Sequence, residues 1–246
     1  MQCEIRSFIG TRKKQEDAAD YLIDERGLFA VVCDGIGSRS CGGESSELAV
    51  KMLIGDYKTG AFDYFPKFII DAAEKTDNEL YERFGQKCGT TAVAVYIREN
   101  ELYWFSAGDS RLYILRNGHI RQITRDHNYR YILEEKMQKH IIDTETYKAE
   151  YPKGDQLVSF LGMNAPELVD MNFEPLILME NDVLIITTDG LYRSVPESRI
   201  CDIVNENNSI SVTADKLLDE VKKQDTELDN TTFAIIKDFR RDRYET

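Results

Sequence analysis

The sequence predicts an α+β fold in which antiparallel sheets are flanked by helices. Short runs rich in Val, Ile, Tyr, Phe and Thr are bounded by turn residues and are predicted to be strands, at 27–34, 90–97, 101–107, 111–117, 182–189 and 231–238. Helical periodicity covers 43–57, 64–84, about 196–205 and 211–224. Because neighbouring strands are joined by short turns while the long helices come in consecutive pairs, antiparallel sheets are favoured over alternating βαβ units.

The chain is predicted to form a single domain over residues 1–246, since no internal repeat, low-complexity tract or Pro/Gly-rich linker divides it. One subregion, at about 128–156, is dense in charge and poor in β-branched residues. It lies between two β-rich regions, and it fits either a solvated surface helix and loop or a mobile flap beside a functional site. The residues by themselves leave both interpretations open.

Composition excludes several classes of function. The formal net charge is −13, whereas binding to a nucleic-acid backbone needs clustered Lys and Arg, so no nucleic-acid partner is expected. No apolar run reaches the roughly 20 residues that a membrane-spanning helix needs. The N-terminus also lacks the basic flank and apolar stretch of a signal peptide. We therefore expect a soluble, cytoplasmic protein that does not contact a membrane.

The five cysteines indicate reduced thiols. Their number is odd, their spacing is wide and no CxxC pair occurs among Cys3, Cys33, Cys41, Cys88 and Cys201. Neither a disulfide framework nor a structural zinc site is expected from this pattern, and reduced thiols fit a cytoplasmic protein.

Three aspartates share one context, the junction of a buried strand with a turn. Asp34 and Asp189 each end an apolar run and precede a glycine, and Asp229 comes just before the last predicted strand. Converging carboxylates without a histidine partner suit Mg²⁺ or Mn²⁺. Two such ions about 3.5–4 Å apart can activate a water for in-line attack on phosphorus. A single Asp-Gly dipeptide fits a plain β-turn equally well, so the argument depends on the combination of motifs.

That combination consists of short motifs in a fixed order: RKKQED at 12–17, DGIG at 34–37, GTT at 89–91, AGDSR at 107–111, TRDH at 124–127, TDG at 188–190 and DN at 229–230. In this order and spacing they resemble the PPM, or protein phosphatase 2C-like, family of metal-dependent serine/threonine phosphatases, in its bacterial type. The resemblance extends from about residue 5 to 238. Each motif alone is weak, but seven in the same order are not expected by coincidence.

The resemblance implies a four-layer fold, in which a central antiparallel β-sandwich is flanked on each outer face by a pair of helices. This agrees with the pattern of strands and helices. The segment 128–156 falls where bacterial members carry a variable flap, which favours the flap interpretation.

The resemblance also implies a catalytic centre with two metal ions, Mn²⁺ or Mg²⁺. Asp34 would bridge the two ions, and the carbonyl of Gly35 would complete the second site. Asp189 and Asp229 would hold the first ion.

Further roles follow from the resemblance around this centre. Glu16 and Asp17 would bind metal-coordinated waters or ligate directly. Arg12 would grip the substrate phosphate, which suits the bidentate fork of a guanidinium, although an ordinary surface arginine beside two lysines is the alternative. Asp109 would hold a third, weaker ion together with Asp189, and here the alternative is a structural acid in a turn.

The implied activity is hydrolysis of phosphoserine and phosphothreonine monoesters on proteins by a water that the two metals activate. A monomer that reverses a paired serine/threonine kinase is expected by family analogy. A degenerate phosphatase fold serving as a scaffold or sensor is the alternative from another class, and the intact aspartate set argues against it. A phosphatase of small phosphate esters stays open, because the phosphate-gripping residues would be the same.

Overall fold

Two antiparallel sheets lie face to face at the centre of the structure, a computed structural model that describes residues 1–37, 41–206, 209–225, 227–237 and 239. One sheet has the strand order β1 (Gln2–Phe8), β12 (Thr231–Lys237), β11 (Val183–Thr187), β7 (Arg111–Arg116) and β8 (His119–Gln122). The other has the order β10 (Leu176–Ile177), β6 (Glu101–Ala107), β5 (Ala92–Arg98), β3 (Gly27–Gly37) and β2 (Asp17–Asp24). Two short strands join the second sheet, β4 (Cys88–Thr90) beside β3 and β9 (Asp170–Met171) beside β6.

Helices cover both outer faces of this sandwich. The β3 face is covered by α1 (Cys41–Thr59) and α2 (Phe65–Phe84), and the β11 face by α5 (Asp189–Ser194), α6 (Glu197–Glu206) and α7 (Ile210–Lys222). Within the described residues, no helix has both the length and the apolar character that crossing a membrane requires.

The alternation of side chains along β3 shows how the layers pack. Phe29 and Val31 point to one side and join the apolar cluster formed with α1 and α2, whereas Leu28, Ala30 and Val32 point to the other side and pack against strands of the facing sheet. Residues 28–32 are all buried, because both faces of the strand are covered. This part of the sequence is therefore a continuous apolar stretch. The predicted α+β fold with two antiparallel sheets is therefore confirmed, whereas the β11 face carries three helices instead of the predicted pair, because the residues after Asp189 form the additional short helix α5.

The segment 128–156 is largely helical. It contains α3 (Tyr129–Gln138), α4 (Thr144–Glu150) and a 3₁₀ turn at Tyr151–Lys153. Its two ends are held together, because the Tyr129 amide donates to the Gln156 carbonyl at 2.8 Å and the Val158 amide donates to the His127 carbonyl at 3.0 Å. The segment therefore begins and ends at the same place in the domain.

Most predicted elements occur, with two kinds of difference. The predicted strand 90–97 is divided at Thr91 into β4 and β5, which pair with different parts of β3. Strands β1 and β2 are absent from the predicted set because both lie at sheet edges and β2 is largely half-buried or exposed, so neither shows a clear apolar run. Asn117 and Gly118, both with positive φ, form the tight turn of the hairpin between β7 and β8.

One cysteine pair differs from the predicted reduced thiols. Cys41 and Cys88 form a disulfide, with Cα atoms 5.9 Å apart, within the usual range for such bonds. The expectation was wrong here because 47 residues separate the pair in sequence, and pairing of β4 with the end of β3 brings them together. Cys3, Cys33 and Cys201 are free and buried.

Candidate active site

Aspartates from five separate parts of the chain meet at one place. Asp34 is partly buried, and its pKa is raised well above the usual range by desolvation and then by the negative charges of Asp17, Asp189, Asp109 and Asp229. Like charges disfavour ionisation when they lie close together. The structure therefore brings the predicted aspartates together in one acidic cluster.

Asp34 lies inside a strand and not at its end. Strand β3 continues to Gly37 because β4 pairs with Gly35–Gly37 after β5 has ended its pairing at Val32. Across β2, Asp34 is the register partner of Asp17. Antiparallel pairing thus places two carboxylates opposite each other in spite of their repulsion.

Thr91 fixes the backbone on both sides of the cluster. Its hydroxyl accepts a hydrogen bond from the Asp34 amide at 2.9 Å and lies 2.6 Å from the Ser110 hydroxyl. Its amide donates to the Asp34 carbonyl at 2.8 Å. Asp109 precedes Ser110, so one buried threonine ties the two acidic segments together.

Gly35 is required by the close approach of two other segments. A Cβ at this position would lie 2.1 Å from the Gly42 carbonyl oxygen and 2.5 Å from that of Glu16. The Gly35 amide donates to the Glu16 carbonyl at 3.0 Å, and the Ser46 hydroxyl donates to the same carbonyl at 2.5 Å. The start of α1 and the segment that carries Glu16 are therefore packed directly on the Asp34-Gly35 backbone.

Asp17 has a buried oxygen without a partner. Its Oδ2 accepts a hydrogen bond from the Thr188 hydroxyl at 2.9 Å, whereas its Oδ1 has no hydrogen-bond partner among the described residues. Burial raises the pKa of Asp17 to about 7, with the negative charges of Asp189 and Asp229 adding to the shift. A buried, unsatisfied carboxylate oxygen is costly unless a cation or donor reaches it.

Asp189 begins helix α5, directly after strand β11. Its carboxyl group lies within hydrogen-bond distance of that of Asp34, and its pKa is raised by burial although the positive charge of Arg193 opposes the shift. Arg193 Nε donates to Asp189 Oδ2 at 2.9 Å. Asp189 therefore contacts the acidic cluster on one side and a guanidinium on the other.

Asp229 lies at the rim of the cluster and is held by Arg12. Arg12 Nη2 donates to Asp229 Oδ2 at 2.7 Å, and the Asn230 amide donates to Asp229 Oδ1 at 2.8 Å. The side chain of Asn230 accepts from the Glu16 amide at 2.8 Å and donates to the Lys14 carbonyl at 3.0 Å. Asn230 thus fixes the loop that carries Arg12 and Glu16 beside the cluster.

A cleft of about 690 Å³ opens beside this rim. Arg12, Lys13, Gly190, Arg193 and Asp229 are among the residues that line it. The Arg12 side chain is 57% exposed, so its guanidinium is accessible from the cleft. A phosphate ester entering here would meet two guanidinium groups beside buried carboxylates.

The cluster fits divalent cations by its chemistry, although no three His, Cys, Asp or Glu side chains of the described residues already stand in a metal-binding geometry. Oxygens of Asp229 and Asp189 are turned to Arg12 and Arg193. The crowding of carboxylates around Asp34 and the unsatisfied oxygen of Asp17 nevertheless favour a cation at this cluster. Hard oxygen ligands of this kind select Mg²⁺ or Mn²⁺.

Several residues that shape the site have no role in the predictions from sequence. Thr91, Thr188 and Asn230 belong to recognised motifs, but their hydrogen bonds join segments that are far apart in sequence. Arg193 could have been found, since it follows Asp189 by four residues at the start of a helix, and such residues lie on one helix face.

The chain matches the family model described as Protein phosphatase 2C over residues 8–136, just over half of its length. It is 28% identical over 218 residues to the serine/threonine phosphatase stp of Listeria monocytogenes, covering 85% of this chain and 84% of the relative. It is 24% identical to a putative protein phosphatase 2C-type protein of Streptococcus pyogenes, covering 96% and 97% of the two chains.

A solved structure has the same fold. The serine/threonine phosphatase of S. agalactiae superposes with a TM-score of 0.83 at 24% identity, over 96% of this chain and all of the other. The family match, which includes the motifs around Arg12, Asp34 and Asp109, carries the assignment. The chain therefore belongs to the protein phosphatase 2C family of serine/threonine protein phosphatases.

Proposed function

We propose that the acidic cluster binds two divalent cations, Mn²⁺ or Mg²⁺, and that phosphoserine and phosphothreonine on proteins are hydrolysed beside them. The proposed ligands are Asp34, the Gly35 carbonyl, Asp189, Asp229, Glu16 and Asp17. The observation that carries the proposal is the convergence of carboxylates from distant parts of the chain on Asp34, with Asp17 opposite it in the sheet and the Asp189 carboxyl group beside its own, together with the buried Asp17 oxygen that has no hydrogen-bond partner among the described residues. A site that crowds negative charge in this way is suited to cations.

The metal ions and the protein residues would contribute different parts of the chemistry. Bound there, two divalent cations would supply an activated water and neutralise charge on the phosphate. Asp34 is opposite Asp17 in the sheet, and its carboxyl group is beside that of Asp189, so it would be the residue shared by both ions. The Thr188 hydroxyl holds the Asp17 carboxylate, the Asn230 amide holds that of Asp229, and Thr91 fixes the Asp34 backbone. These contacts orient the acidic segments before a substrate binds.

Arg12 is proposed to orient the phosphate. A guanidinium carries five N–H donors, and the hydrogen bond to Asp229 uses one of them. Arg12 can therefore hold Asp229 and a phosphate oxygen together, from the rim of the cleft. This arrangement would place the substrate phosphorus next to the acidic cluster.

The proposed setting is a monomeric cytoplasmic enzyme that acts on phosphoproteins and opposes a paired serine/threonine kinase, with no nucleic-acid or membrane partner. The strong net negative charge supports the exclusion of nucleic acid. The segment 128–156 is proposed to be a flap. Supporting this, His127 at its base donates its amide to the Gly108 carbonyl at 2.9 Å, next to Asp109.

The first prediction tests the function itself. Purified protein should release phosphate from phosphoserine and phosphothreonine peptides when Mn²⁺ is present and should be inactive after chelation, because the proposed nucleophile depends on bound cations. The measurement is phosphate release from a peptide panel with Mn²⁺, with EDTA, and after Mn²⁺ is restored. Hydrolysis of small phosphate esters alone would favour that substrate class, and inactivity on every substrate would favour a scaffold or sensor.

The second prediction concerns Asp34→Asn. Turnover should fall by more than the roughly 10–100-fold typical of changes to outer-shell metal partners, because a proposed bridging ligand loses its charge. The metal-free variant should nevertheless be more stable than the metal-free wild type at pH 8. The pKa of Asp34 is higher in the folded protein than in the unfolded chain. The folded wild type is therefore progressively destabilised as the pH rises above the pKa that Asp34 has in the unfolded chain.

Thermal unfolding in EDTA at pH 5 and pH 8 measures this effect. The Tm of Asp34→Asn should exceed that of the wild type most at pH 8, and the difference should shrink towards pH 5. Each 1 kcal/mol of unfolding free energy corresponds to roughly 2–4 °C in Tm for a chain of this size. The exposed Asp63 provides the matched control, since Asp63→Asn should change neither turnover nor Tm. Wild-type turnover in Asp34→Asn would refute the metal assignment.

The third prediction concerns Arg12→Ala, which should mainly raise KM for small phosphate esters. A charge-assisted bidentate contact contributes about 1.5–3 kcal/mol, which corresponds to a loss of about 10–150-fold in kcat/KM. Lys13→Ala is the control in the same loop and should have little effect. An equal loss in both variants would indicate a general basic patch instead of a specific clamp.

A further inference from the structure

The guanidinium of Arg193 lies between Asp109 and Asp189, where the sequence resemblance implies a third metal ion. Its Nε is 2.9 Å from Asp189 Oδ2, and its Nη2 is 3.7 Å from Asp109 Oδ2. The two carboxylate side chains are 6% and 13% exposed, whereas that of Arg193 is 46% exposed. A cation of the chain itself therefore covers two nearly buried carboxylates.

The position of this guanidinium is fixed by the short helix that carries it. Arg193 follows Asp189 by four residues in α5, so both lie on the same face. The neighbouring Tyr192 donates its hydroxyl to the Asp109 carbonyl at 3.0 Å. The guanidinium of Arg111 stacks 3.6 Å from the centre of the Tyr192 ring. Helix α5 therefore contacts Asp109 twice, at its carbonyl through Tyr192 and at its carboxylate through Arg193.

A third divalent cation does not fit beside Arg193. Such an ion would need the oxygens of Asp109 and Asp189 that face the guanidinium, and it would also be repelled by its positive charge. Arginine stays protonated at neutral pH, so the conflict is not relieved by loss of a proton. The residues present thus fit two ions around Asp34, but not a third between Asp109 and Asp189.

We propose that Arg193 takes the place of a third divalent cation, so that this phosphatase binds two metal ions and Asp109 acts by holding Arg193. The inference rests on the proposed two-metal function and specifies it further. A second phosphate clamp is the alternative, since Arg193 also lines the cleft with Arg12. The contact with Asp109 favours the structural cation, because Asp109 is not among the described residues that line that cleft.

Arg193 is a positioning residue in this scheme. Its ion pair with Asp189 restrains a proposed ligand of the first metal, and its charge neutralises Asp109. The activity of the wild type should therefore rise with Mn²⁺ until two sites are filled and show no further activation above that point.

The test is the number of Mn²⁺ ions bound per chain, measured by equilibrium dialysis followed by metal analysis, up to Mn²⁺ concentrations that saturate weak sites. The wild type is expected to bind two ions. Arg193→Asp, which removes the cation and adds a carboxylate, is expected to bind a third, more weakly than the first two. Arg193→Lys keeps the positive charge and should stay at two, as should Asp109→Asn.

Lys13→Asp is the matched control, because it makes the same charge change in the same cleft without adding a carboxylate beside Asp109 and Asp189. It should leave the count at two. Three ions in the wild type, or two in a folded Arg193→Asp variant, would overturn the proposal. A wild-type count of three with full phosphopeptide hydrolysis would leave the proposed function standing, whereas no bound Mn²⁺ and no hydrolysis would remove both.

Discussion

The mutual repulsion of buried carboxylates around Asp34 is the constraint on which the rest of the site depends. Burial and four neighbouring aspartates raise the pKa of Asp34, so at neutral pH the cluster is unfavourable unless positive charge accompanies it. In the structure that charge comes from Arg12 beside Asp229 and from Arg193 beside Asp189. In the proposed working enzyme, two metal ions supply most of it, and the guanidinium groups are left with separate tasks.

The sandwich makes this arrangement possible because it fixes the backbone independently of the carboxylates. Register between β2 and β3 sets Asp17 opposite Asp34, and the apolar layers on both sides of β3 hold that register. Buried hydroxyl and amide groups then orient the acidic segments, and Asn230 joins the loop 9–16 to the start of β12. Stability gained across the whole domain thus offsets local repulsion, which is a common feature of functional sites.

The strands and helices, and the strand-to-turn context of Asp34 and Asp189, were predictable from sequence because each depends on local signals, whereas the layers and the grouping of the aspartates followed from the order of the motifs. Apolar runs and helical periodicity mark the elements, and the residues that follow the runs mark Asp34 and Asp189. Contacts between distant segments were not predictable, since nothing in the spacing shows which strands pair. The Cys41–Cys88 disulfide and the link from Thr91 to Ser110 are of this kind.

The two-metal site around Asp34 can be seen in a crystal structure of the Mn²⁺-loaded protein, with anomalous scattering used to locate the metal. We expect two Mn²⁺ peaks about 3.5–4 Å apart, both in contact with the carboxylate of Asp34. In a protein saturated with Mn²⁺, metal peaks that lie away from Asp34, or a single ion at the cluster, would refute the two-metal site.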